Sequence, residues 1–577
     1  MEETQSANKI GRDALAAWQK AIHSNVYRSD ADFIHSIQFC FAEQSSQIHA
    51  ELTHFGELIA TQLEPLVAEN HLADNLPRIE AYNGIGQSIE KIIHHPSYQQ
   101  AGDIIYGSRL LSHLTNPGGL RHCLSLFFLS SQAGEAGHNC PIACSAGILR
   151  VLQKVGDFPN KSHFIEKLIA PSYQDNFTGA QFLTEVQGGS DVGLNATYAQ
   201  QENSQWRIYG EKWFCSNANA ELIFVTARFD NNTPGTRGLG LFLIPARWNN
   251  HRNHYTFRRL KDKLGTRTLA TAEVDFHGAY AYPMGLEDGF RLMMENVLHI
   301  SRLFNSFCVL GMARRAYGIA RAYAHYRTAF SESIIHYPAV KETLASIKAE
   351  NNAMLAGLFA TADLQDQYDR SNAHDDKMSL LLRLLVNIQK YLTAKWSVQH
   401  THHALDILAG NGTIETFSAI PRLLRDCIIC ENWEGTHNVL HLQVLKDLHK
   451  YAIDKLYFNY LYEQIARLDQ QSPYTEMINK AIQDFEKELA DFRQLDNQLQ
   501  LLRIHLIIDR MTILFCLLHL LFEALDQLKT QNSASKLDCL QLCWIKHVNN
   551  NPVIYNQDYL ALITRINNSE AMVNDNA

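Results

Sequence analysis

The sequence has little that is typical of metal-binding or disulfide-stabilised proteins. Its 11 cysteines are scattered, and Cys427-x-x-Cys430 is not followed by a second cysteine or histidine pair at zinc-finger spacing. Scattered cysteines favour free thiols in a reducing cytoplasm over a disulfide framework. We therefore expect no metal site, and we interpret Cys427 and Cys430 as core thiols on a helix.

An excess of positive charge is also missing. The chain has 51 Lys and Arg against 60 Asp and Glu, a formal net charge of -9. Residues 441–577 alone contain 13 basic and 17 acidic residues, a net of -4. Such a chain has no global attraction to the phosphate backbone of nucleic acids.

Long apolar runs are absent as well. The most apolar run, Met511 to Phe522, is too short to cross a bilayer and follows Asp509 and Arg510. The first residues are acidic and lack the apolar segment of a secretory signal. We expect a buried helix at this run, no membrane span and a cytoplasmic protein.

The periodicity of apolar residues changes along the chain and predicts four domains. Residues 1–172 are mostly helical in pattern, with a loop at Asn83-Gly84. Residues 173–287 contain short alternating or apolar segments that predict the strands of a small sandwich or barrel. Residues 288–450 return to helical spacing, which predicts a helix bundle, and residues 451–577 form a helical extension. The predicted fold class is therefore multidomain and mainly α.

Two motifs lie in the predicted β-domain. Thr184 to Asp191 contains Gly188-Gly189, where the backbone can approach a ligand closely, and hydroxyls that can bond to it. Gly210 to Asn217 has an aromatic ring two residues before a hydroxyl, on one face of a strand, which suits a flavin. Alone, the first could be an ordinary turn and the second a strand with a core Phe.

Two further motifs lie in the predicted bundle. Arg327 to Phe330 stands at a helix end, where an Arg can bind a phosphate or simply lie in solvent. Leu408 to Gly412 precedes a segment ending in Asn432-Trp433-Glu434-Gly435-Thr436-His437-Asn438. Thr436 is a candidate N-cap, so Glu434 lies in a loop just before a helix. Alone, Glu434 could be a surface carboxylate.

In this order and across this helix–strand–helix pattern, the four motifs resemble the acyl-CoA dehydrogenase family over about residues 70 to 450. The resemblance implies an N-terminal helical domain, a central small β-barrel or sandwich, a C-terminal four-helix bundle and an extra C-terminal helical extension. It also implies FAD as cofactor, an acyl-CoA substrate and a homotetramer that passes electrons to an electron-transfer flavoprotein or another acceptor.

The resemblance assigns roles residue by residue. Those near the flavin or thioester are Gln181, Leu183, Thr184, Gly189 and Ser190, with Phe214 beside the isoalloxazine where the family usually has Trp, and Ser216 near flavin N5 where it has Thr. Those at the far end of FAD or across the dimer are Arg327, Gly410, Thr436 and Asn438, and those near the acyl-CoA are Arg302 and Ser190. The sequence departs from the family at Asp406, usually Gln, and at Ser331, usually Gly. An acid at 406 could weaken a contact to a phosphate-bearing cofactor.

Glu434 is the implied catalytic base. Acyl-CoA dehydrogenation removes a proton from Cα and a hydride from Cβ, and a carboxylate serves as base when an apolar site raises its pKa towards neutrality. Relatives that place the base elsewhere have it just before the residue equivalent to Arg302. Here that position is Ser301, which cannot act as the base.

Further motifs resemble the AidB-type branch of the family. They include His95-Pro96, Glu135-Ala136-Gly137, Arg259 to Gly265 and Trp433-Glu434-Gly435. This branch is associated with weak dehydrogenase activity and with DNA binding through a basic C-terminal region. The net charge of residues 441–577 argues against DNA. An acyl-CoA oxidase and a non-catalytic flavoprotein that binds acyl-CoA remain alternatives.

Overall fold

The computed structural model describes residues 2–371, 375–549 and 552–569. It is mainly helical, as predicted. The chain divides into two compact units. We call residues 63–127 and 134–305 the barrel unit, and the described residues among 1–62, 128–133 and 306–577 the helical unit.

The helices account for most of the described chain. In order they are α1 (Glu2–Ile22), α2 (Ala31–Phe41), α3 (Ser45–Leu58), α4 (Glu64–Asn70), α5 (Pro96–Gly107), α6 (Leu120–Ser130), α7 (Asn139–Lys154), α8 (Lys161–Leu168), α9 (Gly289–Leu292), α10 (His299–Tyr326), α11 (Pro338–Arg370), α12 (Asp376–Leu408), α13 (Ile420–Asn432), α14 (His437–Tyr451), α15 (Ile453–Ile465), α16 (Pro473–Arg493), α17 (Asn497–Gln531), α18 (Ser535–Cys543) and α19 (Gln557–Asn568).

The strands lie mainly in the barrel unit. In order they are β1 (Arg78–Tyr82), β2 (Ser88–Ile93), β3 (Gly179–Phe182), β4 (Tyr198–Glu202), β5 (Gln205–Ser216), β6 (Leu222–Arg228), β7 (Leu239–Pro245), β8 (Arg247–Trp248), β9 (His251–Arg252), β10 (Tyr255–Leu260), β11 (Thr271–Gly285), β12 (Thr328–Ala329) and β13 (Glu332–Ser333).

Five of these strands close a small barrel, as predicted. β11 pairs with β5, β5 with β4, β4 with β6, β6 with β7, and β7 returns to β11. β10 extends the sheet beside β11, and β3 joins β6 in parallel. In β6, Ile223 and Val225 belong to one buried cluster while Leu222 and Phe224 belong to another. Since successive side chains of a strand point to opposite faces, burial on both faces explains the continuous apolar runs.

A β-hairpin, β1–β2, lies within the segment predicted to be mostly helical. The predicted loop at Asn83-Gly84 is its turn. The Asn83 side-chain oxygen accepts hydrogen bonds from the backbone N–H groups of Ile85 and Gln87. An Asx turn of this kind connects strands as readily as helices, so the turn residues alone did not distinguish the two.

The helical unit is crossed by buried polar contacts. Arg314 on α10 donates to Asp30 at distances of 2.6 and 2.7 Å and to Asn352 at 2.8 Å. Residues 301–317 of α10 are buried on all sides. The C-terminal helices belong to the same unit, where Tyr457 donates to the carbonyl of Met511 and Thr512 to that of Ile388.

The apolar run from Met511 to Phe522 belongs to α17, which has 35 residues. Among the described residues, α17 alone is long and apolar enough to cross a membrane. Its most apolar stretch is 72% buried inside the protein, which is typical of a core helix. The predicted burial is confirmed, and the helix is longer than the run suggested. Cys427 and Cys430 are also buried on a helix, α13, and neither forms a disulfide, as predicted.

Candidate active site

A buried ion pair holds the motif loop that follows β3. Glu185 and Lys212 are 2% and 1% exposed, and their side chains meet at 2.8 Å. Glu185 also accepts hydrogen bonds from the backbone N–H groups of Ala196 and Thr197, and Lys212 donates to the carbonyl of Leu183. Burial alone would raise the pKa of Glu185, but the charge and hydrogen bond of Lys212, with the bonds from residues 196 and 197, lower that pKa to about 2. The loop is therefore fixed by a carboxylate that is ionised at neutral pH.

The two glycines of this loop are favoured for different reasons, Gly189 by close approach and Gly188 by its backbone conformation. A Cβ on Gly189 would lie 2.3 Å from the hydroxyl oxygen of Thr184, and Gly188 has a φ of 132°. The carbonyl of Thr184 accepts a hydrogen bond from the backbone N–H of Trp213 at 2.9 Å. The structure thus joins the first motif directly to the second. Gly189 and Ser190 are exposed, while Gln181, Leu183 and Thr184 are partly buried.

The second motif carries a β-bulge. Lys212 pairs with Val274 of β11 and Cys215 pairs with Ala272, so β5 has one residue more than β11 between these two pairs. The extra residue brings the side chains of Lys212 and Cys215 to the same face of β5, where both are buried inside the barrel. The ring of Phe214 is left 51% exposed, and Ser216 is partly buried. The ammonium of Lys261 lies 3.5 Å from the ring centre of Trp213 and 4.8 Å from that of Phe214. An open aromatic face beside a hydroxyl fits the isoalloxazine ring of FAD.

Ser216 is linked to two further polar side chains. Its hydroxyl oxygen lies 3.2 Å from that of Thr271, its partner in the β5–β11 ladder. Lys263 donates to the same Thr271 oxygen at 2.8 Å and to the carbonyl of Leu269 at 2.9 Å.

Arg302, which is predicted to lie near the acyl-CoA, and its neighbour Ser301 lie on α10 and are 5% and 2% exposed.

Glu434 lies in the helical unit, in a turn between α13 and α14. We call residues 433–436 the Glu434 turn. Glu434 and Gly435 have φ angles of 58° and 105°, so both are in the left-handed region that a residue with a Cβ adopts only at a cost. Glu434 is half-buried. A fully buried lysine, Lys390 of α12, donates to the carbonyl of Glu431 at 3.0 Å and to that of Gly435 at 2.9 Å. Lys390 therefore fastens the chain on both sides of Glu434.

Thr436 is the N-cap residue of α14, as predicted, and its carbonyl accepts from the N–H of Leu440. Its hydroxyl makes no capping hydrogen bond. Thr436 and Asn438 are both exposed. Two partly buried histidines follow, His437 and His441, and for both burial comes first among the causes that lower the pKa to about 4.

The remaining predicted residues are exposed. Arg327 immediately follows α10. Phe330 lies in the two-residue turn of the β12–β13 hairpin and is 95% exposed. Both turn residues, Phe330 and Ser331, have positive φ, so the family's Gly at 331 is replaced by a Ser in a conformation that favours glycine. Gly410 is exposed, with open space where a Cβ would be.

The predicted residues thus fall in two groups. The barrel unit holds Gln181, Leu183, Thr184, Gly189, Ser190, Phe214, Ser216 and Arg302, and the helical unit holds Arg327, Gly410, Glu434, Thr436 and Asn438. Sequence reasoning missed Glu185, Lys212, Lys263, Thr271 and Lys390, which position the predicted residues. No local signal singles out Lys212, because the same strand also carries Arg207 and Glu211.

Three family models match successive parts of the chain. Residues 18–175 match the adaptive response protein AidB N-terminal domain, residues 180–279 the acyl-CoA dehydrogenase middle domain, and residues 287–449 the acyl-CoA dehydrogenase C-terminal domain. These boundaries agree with the change from helices to barrel to helices in the structure.

Individual proteins and solved structures of the same family are also similar to this chain. The chain is 29% identical over 449 residues to putative acyl-CoA dehydrogenase AidB of Escherichia coli (strain K12), a match that spans 74% of this chain and 79% of that protein. The structure of Caenorhabditis elegans ACDH-11 in complex with C11-CoA is similar with a TM-score of 0.84 and 25% identity, over 96% of this chain and 95% of that one. An acyl-CoA dehydrogenase from Bacillus anthracis complexed with FAD shares the fold, with a TM-score of 0.67 and 16% identity over 94% and 97%. The chain belongs to the acyl-CoA dehydrogenase family of FAD-dependent oxidoreductases and is of the AidB type.

Proposed function

We propose that the chain oxidises an acyl-CoA thioester to the 2,3-enoyl-CoA, with Glu434 as the base. A carboxylate oxygen of Glu434 accepts the proton from Cα, and the hydride leaves Cβ as the double bond forms. Bound FAD supplies the hydride acceptor, N5 of its isoalloxazine ring. The observation that carries the proposal is the Glu434 turn, a left-handed bend fastened by a buried lysine and followed at once by a helix.

The turn favours Glu434 as the base because it presents a carboxylate on a rigid support. A base must be held within hydrogen-bond reach of the proton that it removes. A left-handed Glu costs conformational free energy, and such strained residues are concentrated at functional sites. The rival position, Ser301, is buried and its hydroxyl donates to the carbonyl of Leu298 at 3.3 Å.

The residues that would hold FAD form two sets. In the barrel unit they are Gln181, Leu183, Thr184, Gly189, Ser190, Phe214 and Ser216, and in the helical unit they are Arg327, Gly410, Thr436 and Asn438. The exposure of Arg327 and of the Phe330 ring supports contacts with the cofactor of a second copy of the chain. We therefore propose a homotetramer, which light scattering of the purified protein tests.

The substrate class follows from the same proposal. ACDH-11 was solved with C11-CoA, so we expect a fatty acyl-CoA, with Ser190 and Arg302 near it. Anaerobic bleaching of the flavin by acyl-CoA esters of increasing chain length measures the preference. An eleven-carbon ester should rank among the faster ones.

The test of the base is Glu434→Gln. The variant should keep its FAD, while anaerobic bleaching by acyl-CoA should slow by about two to four orders of magnitude, the range for a lost general base. Glu431→Gln is the matched control, since Glu431 is a partly buried carboxylate at the end of α13 and its pKa is raised by burial. Bleaching of Glu434→Gln at the wild-type rate would rule out Glu434 as the base.

The electron acceptor separates a dehydrogenase from an oxidase. We propose an electron-transfer flavoprotein, so little hydrogen peroxide should form when acyl-CoA is added in air. Rapid peroxide formation would instead identify an oxidase. A cytoplasmic location stays a prediction, and DNA binding by the C-terminal region stays an alternative that its net negative charge disfavours. Retardation of duplex DNA that fades with added salt would establish DNA binding.

A further inference from the structure

A chain of three polar side chains ends at Ser216. The ammonium of Lys263 lies 2.8 Å from the Thr271 hydroxyl oxygen, which lies 3.2 Å from the Ser216 hydroxyl oxygen. Thr271 is 2% exposed, so its hydroxyl exchanges these partners for water only with difficulty. All three residues lie in the barrel unit.

The charge of Lys263 favours one direction for the hydroxyl protons. An ammonium can only donate, so the Thr271 oxygen accepts from Lys263 and has one proton left to give. Its nearest acceptors are the Ser216 oxygen at 3.2 Å and the Leu269 carbonyl at 3.5 Å. A hydroxyl that accepts from a cation is polarised into a stronger donor and a weaker second acceptor. Donation from Thr271 to Ser216 is therefore favoured over the reverse direction. The Ser216 proton then points away from Thr271.

We propose that Lys263 is a positioning residue that fixes the direction in which the Ser216 hydroxyl donates, so that its proton is presented to FAD. The inference rests on the proposed location of the flavin beside Phe214 and Ser216. Without Lys263 the Thr271 hydroxyl is no longer polarised by a cation, so it accepts from Ser216 more readily and the Ser216 proton turns inwards.

The direction matters because reduction adds negative charge to the flavin. A hydrogen bond donated to a ring atom that gains charge stabilises the reduced form more than the oxidised form. An inward-turned Ser216 removes that donor. The flavin should then have a more negative midpoint potential, and its reduction by acyl-CoA should be slower.

The test compares Lys263→Met with Lys261→Met. Both remove one ammonium from neighbouring positions, and the Lys261 ammonium is 4.8 Å from the Phe214 ring. The Lys263 ammonium bonds to the Thr271 hydroxyl, whereas the Lys261 contact with Thr271 is from its backbone N–H to the Thr271 carbonyl and is kept in Lys261→Met. Lys263→Met should lower the limiting rate of flavin reduction about tenfold, less than the loss of a preorganised donor outright. It should also shift the midpoint potential of the bound flavin to a more negative value.

The dependence on Ser216 separates orientation from charge. In a Ser216→Ala background, Lys263→Met should change neither rate nor potential further, whereas an effect of charge would persist. Thr271→Val removes the inward acceptor of the Ser216 proton, so in that background too Lys263→Met should change neither rate nor potential further, whereas an effect of charge would persist. An equal shift from Lys261→Met, or an effect of Lys263→Met that survives in Ser216→Ala, would overturn the inference. If Ser216→Ala itself matches the wild type in both readouts, the proposed location of the flavin is wrong instead.

Discussion

The candidate residues of the two units are held by different means. In the barrel unit, the loop from Leu183 to Asp191 is fixed by the buried Glu185–Lys212 pair, by backbone donors at residues 196 and 197 and by the bond from Trp213. In the helical unit, the side chain of Lys390 donates to the carbonyls of Glu431 and Gly435, on the two sides of Glu434.

This difference has a physical origin. A loop beside a barrel can be supported by strands on several sides, and a single charge inside the barrel can bond to several of them. A turn between two helices has few neighbours, because most backbone groups of the helices are already bonded within each helix. We therefore expect the loop to be the more stable element and the Glu434 turn to be sensitive to the loss of Lys390.

The largest effect should come from breaking the ion pair. Lys212→Met leaves a buried carboxylate without its counter-charge, which typically costs about 3–5 kcal/mol. The free energy of unfolding from denaturant titration measures the loss. Arg258→Met is the control, because Arg258 pairs with Asp275 and Glu211 in the same sheet at an exposed position and should cost at most about 1 kcal/mol. Equal losses would contradict the comparison.

A smaller loss of stability but a large loss of activity is expected from Lys390→Met. The carbonyls of Glu431 and Gly435 lose a buried donor, which costs about 1–3 kcal/mol. Because the turn then relaxes, flavin reduction by acyl-CoA should slow at least tenfold while FAD content stays unchanged. Lys395→Met is the control, since the Lys395 ammonium contacts Tyr391 and Asp509 and not the turn. If Lys390→Met reduces its flavin as fast as wild type, the turn has other sufficient support.

Much of this arrangement was predictable from local pattern. Alternation and apolar runs predicted the barrel, and Thr436 predicted the start of α14 because N-cap residues follow a local rule. The helix-end position of Arg327 followed in the same way. Such features depend on neighbours within a few residues of the chain, and these are visible in the sequence.

The supporting residues were not predictable, because their partners are distant in the sequence. Lys212 and Glu185 are 27 residues apart and Lys390 lies 45 residues before Gly435, so no local pattern joins them. The bulge between Lys212 and Cys215 also breaks the period of two on which a prediction of strand faces depends. Long-range pairing and irregular register are set by the fold.

Acid should destabilise the Glu434 turn before it destabilises the loop of the barrel unit. His437 and His441 have pKa values lowered to about 4, chiefly by burial, so the unfolded chain binds more protons than the folded one below the ordinary histidine value of 6.5. Stability from these groups is therefore present above pH 6.5 and is lost as the pH falls towards 4. Glu185, with a pKa of about 2 against an ordinary 4.5, contributes stability that is lost only between pH 4.5 and 2.

The Glu434 turn should thus weaken at milder acidity than the loop of the barrel unit. Limited proteolysis between pH 7.5 and 4.5, with the cleavage sites mapped, should detect cuts near residues 433–441 before cuts near 183–191. His437→Asn combined with His441→Asn should flatten the dependence between pH 6.5 and 4.5. Simultaneous cleavage of both segments at every pH would contradict the assignment.

The smallest effect on stability is expected at Thr436. Its hydroxyl makes no capping hydrogen bond, so Thr436→Ala should cost well below the ~1 kcal/mol typical of a lost N-cap. Asp496 is the control, because its carboxylate accepts from the N–H groups of Gln498 and Leu499 at the start of α17, and Asp496→Ala should cost about 1 kcal/mol. If Thr436 binds the cofactor, Thr436→Ala should instead weaken FAD retention, measured as the flavin absorbance left after dialysis. A stable variant that keeps its FAD would remove Thr436 from the cofactor set, whereas a loss of stability equal to that of Asp496→Ala would mean that the hydroxyl caps the helix after all.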